Sequence, residues 1–180
     1  MNKTVVLTGV GRDRVGIVAE LTQLLYQLGC NLLDSSMTLL RGEFALILMA
    51  ELPPEVSLDT LEASLLKIEK QLGMAIHVRQ MNEDELREPH EQRNSFIVSV
   101  YGADKTGIVA KVARALADAG INITDVQTKS TGGIKKIFVM ILEVTAPAAA
   151  SARSVEESLK KIASELDVDL SVQALDVVEL

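Results

Sequence analysis

One stretch of this sequence occurs twice. Gly11-Arg12-Asp13-Arg14-Val15-Gly16-Ile17-Val18-Ala19 returns 91 residues later as Gly102-Ala103-Asp104-Lys105-Thr106-Gly107-Ile108-Val109-Ala110, identical at six of nine positions. Fifteen residues after the second glycine of each copy stands an asparagine, in Gly29-Cys30-Asn31-Leu32 and again in Gly120-Ile121-Asn122-Ile123. A repeat on this scale means that one structural unit is used twice, so the fold must be made of two similar halves. The polar segment from Asn82 to Asn94, interrupted by Pro89, offers few groups that could anchor a core and marks the connection. The expected organisation is a first domain over 1–82, a linker over 83–93 and a second domain over 94–180. Halves this small bury little surface alone, and we expect them to pack on each other or on a second chain.

Periodicity orders the elements within a half. Val5 to Thr8 reads as a short strand, and Ile17, Val18, Leu21, Leu24, Leu25 and Leu28 recur at helical spacing until Gly29 ends the helix. A strand around Leu32 to Leu40, a turn at Arg41-Gly42-Glu43 and a strand from Phe44 to Leu52 form a hairpin. After Pro53-Pro54, Leu58, Leu61, Leu65, Ile68 and Leu72 step by three and four along a second helix, and Ala75 to Gln80 supplies the last strand. The second half copies this order: strand Ser95 to Tyr101, helix Gly107 to Ala119, strands Asn122 to Ser130 and Lys136 to Thr145, helix Ser154 to Glu165, strand Asp167 to Leu175. The pattern is βαββαβ twice. It predicts an α+β chain of two ferredoxin-like sandwiches, each an antiparallel sheet with two helices on one face. Phe44 to Ala50 and Ile137 to Leu142 are apolar at both parities, so we expect another sheet to cover the helix-free face there.

Composition narrows the function classes. With 48% hydrophobic and 24% charged residues the chain is a compact protein and not a disordered one. No apolar run approaches the roughly 20 residues of a membrane-spanning helix, and Met1-Asn2-Lys3-Thr4 leads into a strand without a signal-peptide cleavage site, so a cytoplasmic protein is expected. A net charge of −7 and a pI of about 4.9 disfavour a phosphate-binding surface and hence direct nucleic-acid binding. The pairs Lys135-Lys136 and Lys160-Lys161 read as solvated faces. One cysteine, Cys30, and two histidines, His77 and His90, make no zinc cluster, redox pair or recognisable catalytic set. We therefore expect no metal, no cofactor and no enzymatic activity, with His90 solvated in the linker and Cys30 a packed side chain.

The repeated loop is the candidate site. It places Asp13 or Asp104 just ahead of a helix and Gly16 or Gly107 at its first turn. Unpaired N–H groups at a helix start attract carboxylates and phosphates, and a glycine lets a ligand approach without meeting a Cβ. The aspartate has two roles open to it, capping an amide or meeting an ammonium group. An amino acid presents both charges. Tight helix–strand packing explains the same residues without any ligand, and Asn31 and Asn122 fit a simple turn into a strand.

Asp-Arg-Val-Gly-Ile-Val followed by Gly-Cys-Asn-Leu, repeated as Asp-Lys-Thr-Gly-Ile-Val followed by Gly-Ile-Asn-Ile, resembles two ACT domains, which are regulatory βαββαβ modules. The tandem layout, with Gly29-Cys30-Asn31-Leu32-Leu33-Asp34-Ser35-Ser36 followed by Gly42-Glu43-Phe44, resembles the glycine cleavage system transcriptional repressor group within that family. The resemblance implies a homo-oligomer associated through its sheets. It also implies a small effector, often an amino acid and here glycine first, held between the first loop of one domain and strand residues of a neighbour. Carried over by position, Asp13, Arg14, Gly16, Ile17, Asn31 and Leu32 line one pocket, and Asp104, Lys105, Gly107, Ile108, Asn122 and Ile123 line its counterpart. The group is thought to act on a DNA-binding activator protein and not on DNA itself. Many family members have proline before the loop glycine, where this chain has Val15 and Thr106. Two other readings stand beside the sensor: an interaction module with no ligand, and an enzyme.

Overall fold

Alternation decides the strands and a three-to-four spacing decides the helices. The computed structural model describes residues 3–82, 85, 93–132 and 136–175. These fall into two compact units, Met1–Glu88 and Pro89–Leu180. The first unit runs β1 (Lys3–Arg12), α1 (Ile17–Gln27), β2 (Asn31–Leu40), β3 (Glu43–Leu52), α2 (Leu58–Leu72) and β4 (Met74–Gln80). The second runs β5 (Arg93–Ala103), α3 (Ile108–Asp118), β6 (Asn122–Ser130), β7 (Ile137–Pro147), α4 (Ala152–Leu166) and β8 (Val168–Leu175). Each unit is an antiparallel sheet of four strands, ordered β2-β3-β1-β4 and β6-β7-β5-β8. The expected pair of ferredoxin-like α+β sandwiches is what the chain forms.

In the first unit Val5, Leu7, Leu46, Leu48 and Ala50 point from the sheet into a layer made by Ile17, Leu21 and Leu25 of α1 with Leu61, Leu65 and Leu72 of α2. In the second, Val98, Val100, Met140 and Leu142 meet Ile108, Val112 and Leu116 of α3 with Val155 and Leu159 of α4. The first strand is longer than its apolar pattern suggests, because Gly9, Gly11 and Arg12 keep pairing with β3 although they present little apolar surface. Backbone groups must be paired whatever the side chains are, so the ladder outruns the pattern.

One expectation is corrected: Arg93, assigned to the linker, opens β5. On the helix-free faces of the third strands Ile47 is 55% and Ile141 42% exposed within the single chain, surface open to the covering sheet that the sequence leads us to expect. Most of the linker, including His90, lies outside the described residues, as does Lys135. Among the described residues no helix is long and apolar enough to cross a membrane.

Candidate functional site

The loop between first strand and first helix is built the same way in both units. Asp13 N–H donates to the Gly42 carbonyl at 2.9 Å, and Asp104 N–H donates to the Lys136 carbonyl at 3.0 Å, which ties each loop to the start of the third strand. Gly11 and Gly102 lie where the chain passes the last strand closely. A Cβ on Gly11 would stand 2.7 Å from Met74 Cγ and 3.0 Å from Met74 Cα, and one on Gly102 would stand 2.7 Å from Val168 Cγ1.

Gly16 and Gly107 serve a different need. They are the N-caps of α1 and α3, with φ of 101° and 90°, a left-handed conformation that favours glycine. A Cβ there would meet nothing within 4 Å. The glycine therefore answers first to backbone conformation, and it sits at the cap instead of in the first turn as the sequence suggested.

The caps themselves differ between the helices of each unit. Ser57 Oγ accepts from Thr60 N–H at 3.1 Å on α2, and on α4 Ser151 and Ser154 exchange hydrogen bonds of 3.2 and 2.9 Å. No side chain caps α1 or α3. Asp13 and Asp104 thus do not take the capping role. Asp104 Oδ2 accepts from Ser130 Oγ at 2.7 Å; in the first unit the position 91 residues earlier is Leu39, which has no hydroxyl to offer Asp13. Asp13, Arg14 and Val15 are exposed.

Arg14 and Lys105 turn away from the helix start. Arg14 Nη2 donates to the Gln71 carbonyl, and Lys105 Nζ donates to the Leu166 carbonyl at 2.8 Å with Asp167 Oδ2 at 3.6 Å. Each cation meets the negative end of its unit's second helix. Ile17 and Ile108, 2% and 1% exposed, are core residues. Their side chains support the loop from beneath.

The strand residues assigned to the same pockets are elsewhere. Asn31 lies opposite Glu51, which lies opposite Thr4, whereas the loop follows Arg12. From Thr4 to Asp13 is nine residues of strand, roughly 30 Å at about 3.3 Å each. Asn122 is set at the same end of its sheet, opposite Thr145. The structure therefore does not bring Asn31 and Leu32, or Asn122 and Ile123, to the loop of their own unit. Both second strands also carry an irregularity just after these residues, between Leu32 and Asp34 and between Ile123 and Asp125. Neither the bulges nor the cation-to-helix ties are legible from residue type. That Arg14 and Lys105 keep the same charge at the same offset was the available signal.

Other groups offer little chemistry. Burial pushes the Cys30 thiol up, so it is protonated at neutral pH and a poor nucleophile. Among the described residues no three His, Cys, Asp or Glu side chains cluster as a metal site. An open groove of about 520 Å³ runs beside α4 and the start of β8, past Tyr101, Arg153 and Lys160, and another of about 590 Å³ lies at Ser151. Neither touches a candidate residue.

A family model described as the ACT domain matches residues 3–79 and 94–173. Curated relatives are UPF0237 proteins, each covering about half of this chain. The one from Methanosarcina mazei is 35% identical over 86 residues, 47% of this chain and 91% of the relative. That from Methanopyrus kandleri is 38% identical over 82 residues, 45% and 88% of the two chains. Among solved structures, an unknown protein from Galdieria sulphuraria superposes with a TM-score of 0.80 at 26% identity, covering 97% of this chain and 99% of that one. A protein described as a candidate glycine cleavage system transcriptional repressor shares the fold, with a TM-score of 0.73 at 22% identity over 97% and 98% of the chains.

Proposed function

Because this chain belongs to the ACT-domain family, we propose that it is a non-catalytic regulator whose repeated loops receive an amino acid, glycine being the first candidate. The observation that supports this most is the difference in capping. The second helix of each unit has one N-terminal amide capped by a serine hydroxyl, while the first, at the duplicated motif, has no side-chain cap. A ligand carboxylate fits such amides, and Asp13 or Asp104 beside them fits its ammonium group. In this reading Asn31, Leu32, Asn122 and Ile123 complete the loop of another copy of the chain, since within a unit they lie at the far end of the sheet. The domains over 1–82 and 94–180 are the two sensing modules.

Regulation needs more than binding. The ligand must favour one arrangement of the assembly over another, because equal affinity for both shifts nothing. The recipient of that shift is a protein, with a DNA-binding activator as the leading candidate, and the net charge of −7 supports protein over DNA as the immediate target. We place the protein in the cytoplasm. A ligand-free interaction module is the second reading, favoured by loops that line neither groove.

Calorimetric titration of the full chain with glycine, serine, alanine and threonine decides between them. The expected result is saturable heat for at least one, abolished when Asp13→Ala and Asp104→Ala are combined in a chain that still unfolds cooperatively. At about a hundredfold excess over Kd the ligand stabilises the chain by about 2.7 kcal/mol. No heat and no thermal shift across the panel overturns the sensing reading.

A further inference from the structure

We propose that the outer edge of β8 in the second unit docks an extended, basic peptide segment of a partner protein, which adds to the sheet as a further strand. β4 and β8 are edge strands, each paired only with the first strand of its unit. In an antiparallel ladder alternate residues turn their N–H and C=O groups away from the neighbouring strand. Ile76 is one of these: its N–H donates at 2.5 Å to Oε1 of Glu69, which reaches across from α2. The first unit thus covers this part of its edge with its own carboxylate, and a covered edge does not recruit another strand.

The second unit lacks that cover. Past the hairpin of each unit the repeat offset grows from 91 to 94 residues, which sets the N-caps Ser57 and Ser151 and the C-caps Gly73 and Asp167 in register. Glu69 is then matched by Ala163, and Ile76 by Leu170. The strand partners agree, since Ile76 lies opposite Gly9 and Leu170 opposite Val100, 91 residues further on. Alanine has no group to accept from the Leu170 N–H. Where the first unit places a carboxylate, the second has an open groove of about 520 Å³ between α4 and β8, lined by both Ala163 and Leu170. That is within the roughly 300–1,000 Å³ of sites that hold a ligand, and one wall of it is a strand edge, the arrangement that takes up an extended peptide.

Charge selects the occupant. Glu156, Glu157, Asp167 and Asp169 line the groove against Arg153 and Lys160. Arg153 pairs with Glu157 at 3.2 Å and Lys105 with Asp167 at 3.6 Å, which leaves Glu156 and Asp169 to the single Lys160. Tyr101, opposite Asp169 on β5 and 49% exposed, offers a ring beside that carboxylate for the stem of a lysine or arginine. A second copy of this chain, with a net charge of −7, brings more acid to an acidic groove and is repelled. A basic segment of another protein sets its cations against Glu156 and Asp169 while its backbone pairs with β8.

Titration of the full chain with the end-blocked peptide Lys-Val-Lys-Val-Lys-Val, with no amino acid present, tests this separately from the sensing reading. The expected result is saturable binding that slows amide hydrogen exchange across 168–172 and leaves 74–78 unchanged. Ala163→Gln gives the Leu170 N–H a side-chain acceptor without adding charge, and it weakens binding about tenfold, the worth of roughly one hydrogen bond. Methylating alternate backbone nitrogens of the peptide weakens it similarly, and the counterpart with glutamate in place of lysine does not bind. The exchange measurement uses the unaltered chain, so the test stands even if Ala163→Gln fails to fold. Absence of binding, equal binding of the glutamate peptide, or protection that falls outside β8 overturns the proposal.

Discussion

Replacing Gly16 tests how firmly the candidate loop is held. Its φ of 101° and ψ of −10° lie on the left-handed side of the map, where an L-residue with a Cβ is strained by about 1–2 kcal/mol. Nothing stands within 4 Å of a Cβ built there, so no steric term adds to the strain. Alanine also narrows the unfolded ensemble, which returns about 0.4–1 kcal/mol. The net loss for Gly16→Ala is about 1 kcal/mol, or roughly 4–8 °C in Tm for a unit of this size. Asparagine tolerates the left-handed region better than other residues with a Cβ, and a β-branched residue tolerates it worse. The stability order is therefore Gly, Asn, Ala, Val. Gly107, at φ 90° with equally open surroundings, should give the same order and about the same size. Urea unfolding measures it, with the midpoint moving and the slope unchanged. If Gly16→Ala matches the parent chain, or Gly16→Val is no worse than Gly16→Ala, the cap is not held left-handed and the account of the loop fails.

Gly11→Ala should cost more than Gly16→Ala, about 2–3 kcal/mol, because its Cβ meets Met74 Cα at 3.0 Å and the Gly73 carbonyl oxygen at 3.1 Å, which are backbone atoms; denaturant melts of the two variants side by side check the ranking. A hydrogen bond from Lys111, then its charge, hold the exposed Glu165 carboxyl below the usual carboxylate range. Its stabilising contribution is thus present above the unfolded value and lost as pH falls through the folded one. Lys111→Met should return the carboxyl toward its ordinary value in an NMR titration and flatten that part of the acid-side stability profile; an unmoved titration refutes the pairing.

The repeat made most of the architecture legible. The helix end before Gly29, the strand end before Pro53-Pro54, the hairpin around Gly42 and the order βαββαβ follow from local preferences of glycine, proline and apolar spacing, and these act within a few residues of chain. The same locality sets the limit. Residue type does not report which strand runs beside which, and only the antiparallel register shows that Asn31 and the Asp13 loop of one unit lie at opposite ends of its sheet.

By itself the sequence determined that two similar α+β units exist, where their helices and strands lie, and that a glycine-hinged loop recurs at the head of each first helix. Tertiary structure alone decided what those residues face. Arg14 and Lys105 reach helix ends more than fifty residues away, Ile17 and Ile108 go into the cores, Ser130 holds Asp104, and β2 is left bare along a sheet edge. The physical reason is range. Backbone preference and hydrophobic period are written in neighbouring residues, whereas burial and pairing depend on which distant segments the folded sheet sets side by side.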